Sequence, residues 1–123
     1  MTEKSISVVA PCHNERENLA PLVAAIRAAH GGPRKTPIVL VECIRFARPP
    51  FVRDMRRAWQ TKNAALRLAL GRLRAAGVGG LHYVRADDLL GDDGEATVDG
   101  VHPTDLGFVR MAEVLARTLR LLV

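Results

Sequence analysis

Asp99 and His102 stand three residues apart in the stretch DDGEATVDGVHPTDLG, residues 92–107, and a proline follows the histidine at once. A general base needs a neutral imidazole aimed outward, with a carboxylate on its other nitrogen to fix the tautomer and stabilise the imidazolium. A tight Asp-x-x-His turn supplies both. Gly100 lets the turn fold back, Pro103 stiffens its exit, and Thr104 caps a helix whose periodic apolar residues begin at Leu106. The same spacing is also what a plain capped turn shows, so the surrounding elements must give it meaning.

Those elements alternate between strand and helix. SISVVA (residues 5–10) is a short apolar run with β-branched residues, read as a buried strand that Pro11 ends. After the loop PCHNERE, Asn18 is placed to cap a helix with Leu19, Leu22, Val23, Ile26 and Ala29 as its core face, closed by Gly31, Gly32 and Pro33. PIVLVE (37–42) is a second strand. A long helix follows Pro50 with Val52, Met55, Trp59, Leu66, Leu70 and Leu73 in step, and Gly77 ends it. LHYV (81–84) is a third strand, in which His82 reads as a surface or packing residue. A last helix runs from Thr104 to about Leu121, with Phe108, Met111, Ala112, Leu115 and Leu119 expected to face inward.

Strands separated by helices predict a small three-layer α/β domain on a parallel sheet of about three strands, residues 1–123 forming one domain. Sites in such sheets form beyond the carboxyl ends of the strands, where Cys12, His13, Cys43 and the Asp99/His102 loop would meet. Zinc takes ligands of these types, but no Cys-x-x-Cys or His-x-x-x-His spacing is present, and neither a metal nor a cofactor is expected.

Composition narrows the classes further. With 123 residues, 48% of them hydrophobic, the chain can bury one modest core. Its net charge of +5 is unevenly spread: residues 34–85 hold 12 basic and 2 acidic side chains, and residues 86–105 hold seven acids and no base. The basic residues lack interleaved aromatics and fall largely on the polar side of a helix, so no nucleic-acid surface is expected. No apolar run approaches the ~20 residues of a membrane span, and no secretory signal is evident, so a cytoplasmic protein without a membrane partner is expected. Two cysteines are too few for a disulfide framework.

Three stretches together carry a family resemblance: TPIVLVE (36–42), NAALRLALGRLRAAGVGGLHYV (63–84) and DDLLGDDGEATVDGVHPTDLGFVRMAEVL (87–115). They resemble the C-terminal half of the SGNH, or GDSL, hydrolases, over about residues 36–123, most specifically in DGVHPTDLGF. The resemblance implies a flavodoxin-like fold of which this chain keeps the last two strands. It maps the base end of a Ser-His-Asp triad onto Asp99 and His102, and it implies cofactor-free hydrolysis of a carboxylic ester such as an O-acetyl group. Residues 1–32 differ: SISVVAPCHNERENLAPLVAAI resembles the first βα unit of family 2 glycosyltransferases, whose strand ends in Pro-x-x-Asn-Glu beside a nucleotide-sugar pocket. No Asp-x-Asp metal motif follows it. A truncated or chimeric chain would read this way.

The family's nucleophile is missing. Ser5 and Ser7 are the two serines, both inside the first strand, and the Gly-x-Asn-Asp segment and helper glycine of the oxyanion hole are absent. Cys12, at the end of the first strand, is the candidate substitute, since a thiol beside an imidazole is readily activated. Three functional readings stand open: an esterase-like domain with or without activity, a nucleotide-sugar-binding fragment using Pro11 to Glu15, and a non-catalytic interaction domain. With family strands replaced, an uncovered edge or apolar face predicts a homodimer.

Overall fold

A computed structural model describes residues 7–9, 17–32, 36–46 and 53–122. Three strands, β1 (Ser7–Val9), β2 (Ile38–Val41) and β3 (Leu81–Val84), form a parallel sheet in the order β1-β2-β3. Val8 pairs with Val39, and Leu40 with Tyr83. The helices α1 (Leu19–His30) and α2 (Arg53–Ala75) connect them, and α3 (Asp105–Arg120) follows a long loop after β3. Among the described residues no helix is long and apolar enough to cross a membrane.

The side-chain alternation of β2 divides the interior in two. Ile38 and Leu40 face one side, where they pack with Leu19 and Val23 of α1, Leu66, Leu70 and Leu73 of α2, and Leu81. Val39 faces the other side, joining Val84, Leu89, Leu90 and Ala96, with Met111, Val114, Leu115 and Leu119 of α3 packed over them. Both crossover helices therefore cover one face and α3 the other, which makes the expected three layers. Ile38, Val39, Leu40 and Leu89 have no exposed surface. Burying a side chain of this kind contributes about 1.5–3 kcal/mol, so the central strand is the chief apolar anchor.

Two helix faces differ from the periodic expectation. In α1, Leu22 is 40% exposed and Ala29 is exposed, while Arg27 is buried. Its guanidinium donates from Nη2 to the Gly79 carbonyl, and its Nε has no hydrogen-bond partner among the described residues. The helix has turned until the row Leu19, Val23 and Arg27 meets the sheet, so the long Arg27 stem replaces the expected leucine. Asn18 occupies the cap position without a capping side-chain bond. In α3, Phe108 is 59% exposed and Ala112 is exposed, whereas Gly107 is buried. The cause of that rotation lies in the loop preceding it.

Candidate active site

Past β3 the chain makes a single 3-10 turn, Ala86–Asp88, and then drops Leu89 and Leu90 into the second core. Ala96 is buried beside them. From there the backbone forms a small hairpin: Thr97 bridges Pro103, Val98 N–H donates to the His102 carbonyl at 2.9 Å, and Thr104 N–H donates to the Ala96 carbonyl at 2.9 Å. Thr104 caps α3 as its sequence position predicts, its Oγ1 accepting from Gly107 N–H at 3.1 Å while donating to the Glu95 carbonyl at 3.0 Å. One hydroxyl thus ties the helix start to the loop.

The hairpin's tip presents the predicted pair. Gly100 takes φ 91°, a left-handed conformation that a side chain resists, and this folds the chain back between Asp99 and His102. Asp99 Oδ1 accepts from Val101 N–H at 2.9 Å and His102 N–H at 2.7 Å, and its Oδ2 lies 2.6 Å from His102 Nδ1. The backbone N–H of His102, then its imidazole, then the N–H of Val101 hold the Asp99 carboxyl well below the usual carboxylate range. A carboxylate oxygen at this distance from Nδ1 favours the tautomer with the proton on Nδ1, which leaves Nε2 as the ring's outward acceptor. The imidazole is 77% exposed and so open to a ligand from solvent. This is the arrangement a general base requires.

Two supports fix the hairpin against the fold. Arg110 of α3 reaches back with Nη1 to Asp93 Oδ1 and to the Leu90 carbonyl, both at 2.7 Å, and with Nη2 to Asp93 Oδ2 at 2.5 Å. The Arg110 guanidinium, followed by the Glu95 N–H, holds the Asp93 carboxyl far below its ordinary value. The second support is Gly107, where any Cβ would strike the Ala96 carbonyl and come within 3.1 Å of Pro103 Cβ. Glycine lets the first turn of α3 lie directly on the loop. These contacts set the rotation of the helix, which explains why Gly107 and Arg110 turn inward and Phe108 does not.

A different carboxylate closes the end of β2. Glu42 has a fully buried side chain and accepts from Arg67 Nε at 2.5 Å, from the Tyr83 hydroxyl, and from Ala86 N–H at 2.7 Å. Burial pushes its carboxyl up, but the bonds from Arg67, Ala86 and Tyr83 together outweigh that and hold it below the usual range. Burial and the hydrogen bond to Glu42 raise the Tyr83 phenol. Next to it, the Asn63 amide grips the Cys43 backbone, donating to its carbonyl and accepting from its N–H, both at 2.8 Å. Sequence reading missed Glu42, Asn63 and Arg110. A lone acid ending an apolar strand was the available signal for Glu42.

Of the remaining candidates, Cys12 and His13, with the Pro11 to Glu15 motif, lie outside the described residues. Cys43 is a free, half-buried cysteine whose thiol burial pushes up, the opposite of what an activated nucleophile needs. His82 is partly buried in β3. Among the described residues no group of three or more His, Cys, Asp or Glu side chains is placed to hold a metal.

The sequence profile of the GDSL-like Lipase/Acylhydrolase family matches residues 11–120. The chain belongs to this family. The match spans the whole Asp99/His102 hairpin and also runs through residues 11–32, and the glycosyltransferase likeness of the N-terminal unit finds no support beside it. Two solved structures resemble this GDSL-like chain. One, from Bacteroides ovatus and described as a GDSL-like lipase, has a TM-score of 0.74 at 29% identity, covering 87% of this chain and 31% of its own. The other, a GDSL-like lipase from Bacteroides thetaiotaomicron, has a TM-score of 0.61 at 17% identity, covering 94% and 62% respectively, and supports the fold. The chain therefore spans less than two thirds of either relative. No curated protein matches it.

Proposed function

We propose that the GDSL-like domain retains the general-base half of a cofactor-free carboxylic-ester hydrolase site, with His102 as the base and Asp99 orienting it, and that without the family's serine nucleophile its turnover of small acyl esters such as an O-acetyl group stays near background. The observation that carries this reading is the 2.6 Å contact between His102 Nδ1 and Asp99 Oδ2 on an exposed ring. In ester hydrolysis His102 Nε2 would take the proton of the attacking group and return it to the leaving alcohol, while Asp99 stabilises the imidazolium between those steps. The attacking group is the weak point, because neither Ser5 nor Ser7 stands in a Gly-Asp-Ser turn. Losing a triad nucleophile costs a factor of ~10⁶ in a serine protease. Cys12 is the thiol that would have to replace it.

Hydrolysis of p-nitrophenyl acetate tests the reading. The expected rate is close to the slow background of histidines in general, and Cys12→Ala should leave it unchanged. Clear turnover lost in both Cys12→Ala and His102→Ala, and strongly reduced in Asp99→Asn, would replace this reading with a working Cys-His-Asp hydrolase. Clear turnover that survives His102→Ala would remove His102 from the chemistry altogether.

A further inference from the structure

Among the described residues, four of the seven large apolar side chains left in water lie on α3 or just past it. Leu106 is 43% exposed, Phe108 59%, Val109 54%, and Leu121 just past the helix 86%. Of these, Val109 continues one turn on into Ala112 and Ala116, an exposed apolar strip of the kind that marks a contact site. A shallow groove runs along the same face, lined by Val109, Ala112, Glu113, Ala116, Arg117 and Arg120. Beneath it Met111, Val114, Leu115 and Leu119 are only partly buried against the second core, so the single helix does not seal that side of the sheet.

The charges on this face are ordered along the helix. Asp105 lies in the first turn, Glu113 follows at mid-helix, and Arg117 and Arg120 occupy the last turn. A second α3 laid antiparallel across the groove, with the crossing between Glu113 and Arg117, would set Glu113 of each helix against Arg117 and Arg120 of the other, and would oppose the two helix dipoles. A parallel arrangement would set like charge on like. A two-fold axis gives the antiparallel geometry, because the same patch then meets itself in reverse.

We propose that the outer face of α3 is the interface of a homodimer, in which Ala112 and Ala116 of the two copies pack together about the two-fold axis while Glu113 of each pairs with Arg117 and Arg120 of the other. The apolar strip supplies the attraction, and the charge order fixes the direction and excludes other partners of the wrong pattern. Asp93 and Arg110 take no part, since they are engaged with each other on the inner side of the helix.

Sedimentation equilibrium of the full chain at about 10–100 µM tests the proposal by charge reversal. The unmodified protein is expected to sediment with twice the mass of the chain. Glu113→Lys alone, and the pair Arg117→Glu with Arg120→Glu, should each weaken association at least tenfold, because each sets like charges opposite one another. Combining all three substitutions restores the complementarity with reversed signs, and association should return. A monomer at 100 µM would overturn the proposal. So would a dimer indifferent to the single reversals, or a triple variant that stays monomeric while circular dichroism shows it folded.

Discussion

The Asp99–His102 turn and the Glu42 cluster both gather hydrogen-bond donors on a carboxylate at the carboxyl edge of the sheet, yet they are assembled in opposite ways. Asp99 draws its donors from residues two and three positions along the chain and remains half exposed. Glu42 draws its side-chain donors from 25 and 41 positions away and a backbone N–H from 44 positions away, and is fully enclosed. The exposed carboxylate gives up little hydration, so its bonds serve mainly to orient an imidazole. The buried one has lost its water, so the same kind of bond becomes a condition for folding. The candidate site is thus held on a local turn, and the buried charge by a non-local cluster.

Removing the buried partner is expected to break this comparison most visibly. Glu42→Ala leaves Ala86 N–H and the Tyr83 hydroxyl without their acceptor, and should cost roughly 2–4 kcal/mol in denaturant unfolding. A cost near zero would show that the cluster does not stabilise the fold. Gly107→Ala tests the join between the two regions. The added methyl must push α3 off the Ala96 carbonyl, costing about 1–3 kcal/mol of stability and shifting the His102 ring resonances in NMR spectra. Unchanged His102 resonances would mean that the hairpin does not depend on the helix contact.

The smallest effect on stability should come from Asp99→Asn, which is expected to lower the thermal midpoint at neutral pH only modestly, a deficit that closes as the pH falls. Its signature is at acid pH. A carboxyl held low in the folded state contributes stability that is fully present above the unfolded value of about 4 and is lost as the pH falls toward the folded one. The unmodified protein should therefore lose stability below about pH 4, and Asp99→Asn should flatten part of that slope, while imidazole ¹⁵N shifts report loss of the fixed tautomer. Identical acid limbs would show that Asp99 is not held ionised by its turn.

Much of the architecture was legible because it is local. The runs around Ile38–Val41 and Leu81–Val84 are apolar and bounded by turn residues, and the structure makes strands of them at nearly those limits. Asp99, Gly100, His102 and Thr104 lie within six residues of one another, so their types and spacing already specify a folded-back turn, a paired imidazole and a helix cap.

Tertiary structure decided the phase of the helices and the identity of the buried polar groups. Periodicity states which helical residues share a face, but not which face meets the sheet. In α3 that choice fell to Gly107 against Ala96 and to Arg110 against Asp93, which turned Phe108 and Ala112 outward against the expectation from hydrophobicity alone. In α1 the sheet accepted Arg27 in place of Leu22. The sequence by itself determined the local pieces and the Asp99–His102 turn, because their hydrogen bonds close within a few residues. Glu42, Arg67, Tyr83 and Ala86 could be brought together only by folding, because a buried charge acquires its partners from whatever the packed elements place around it.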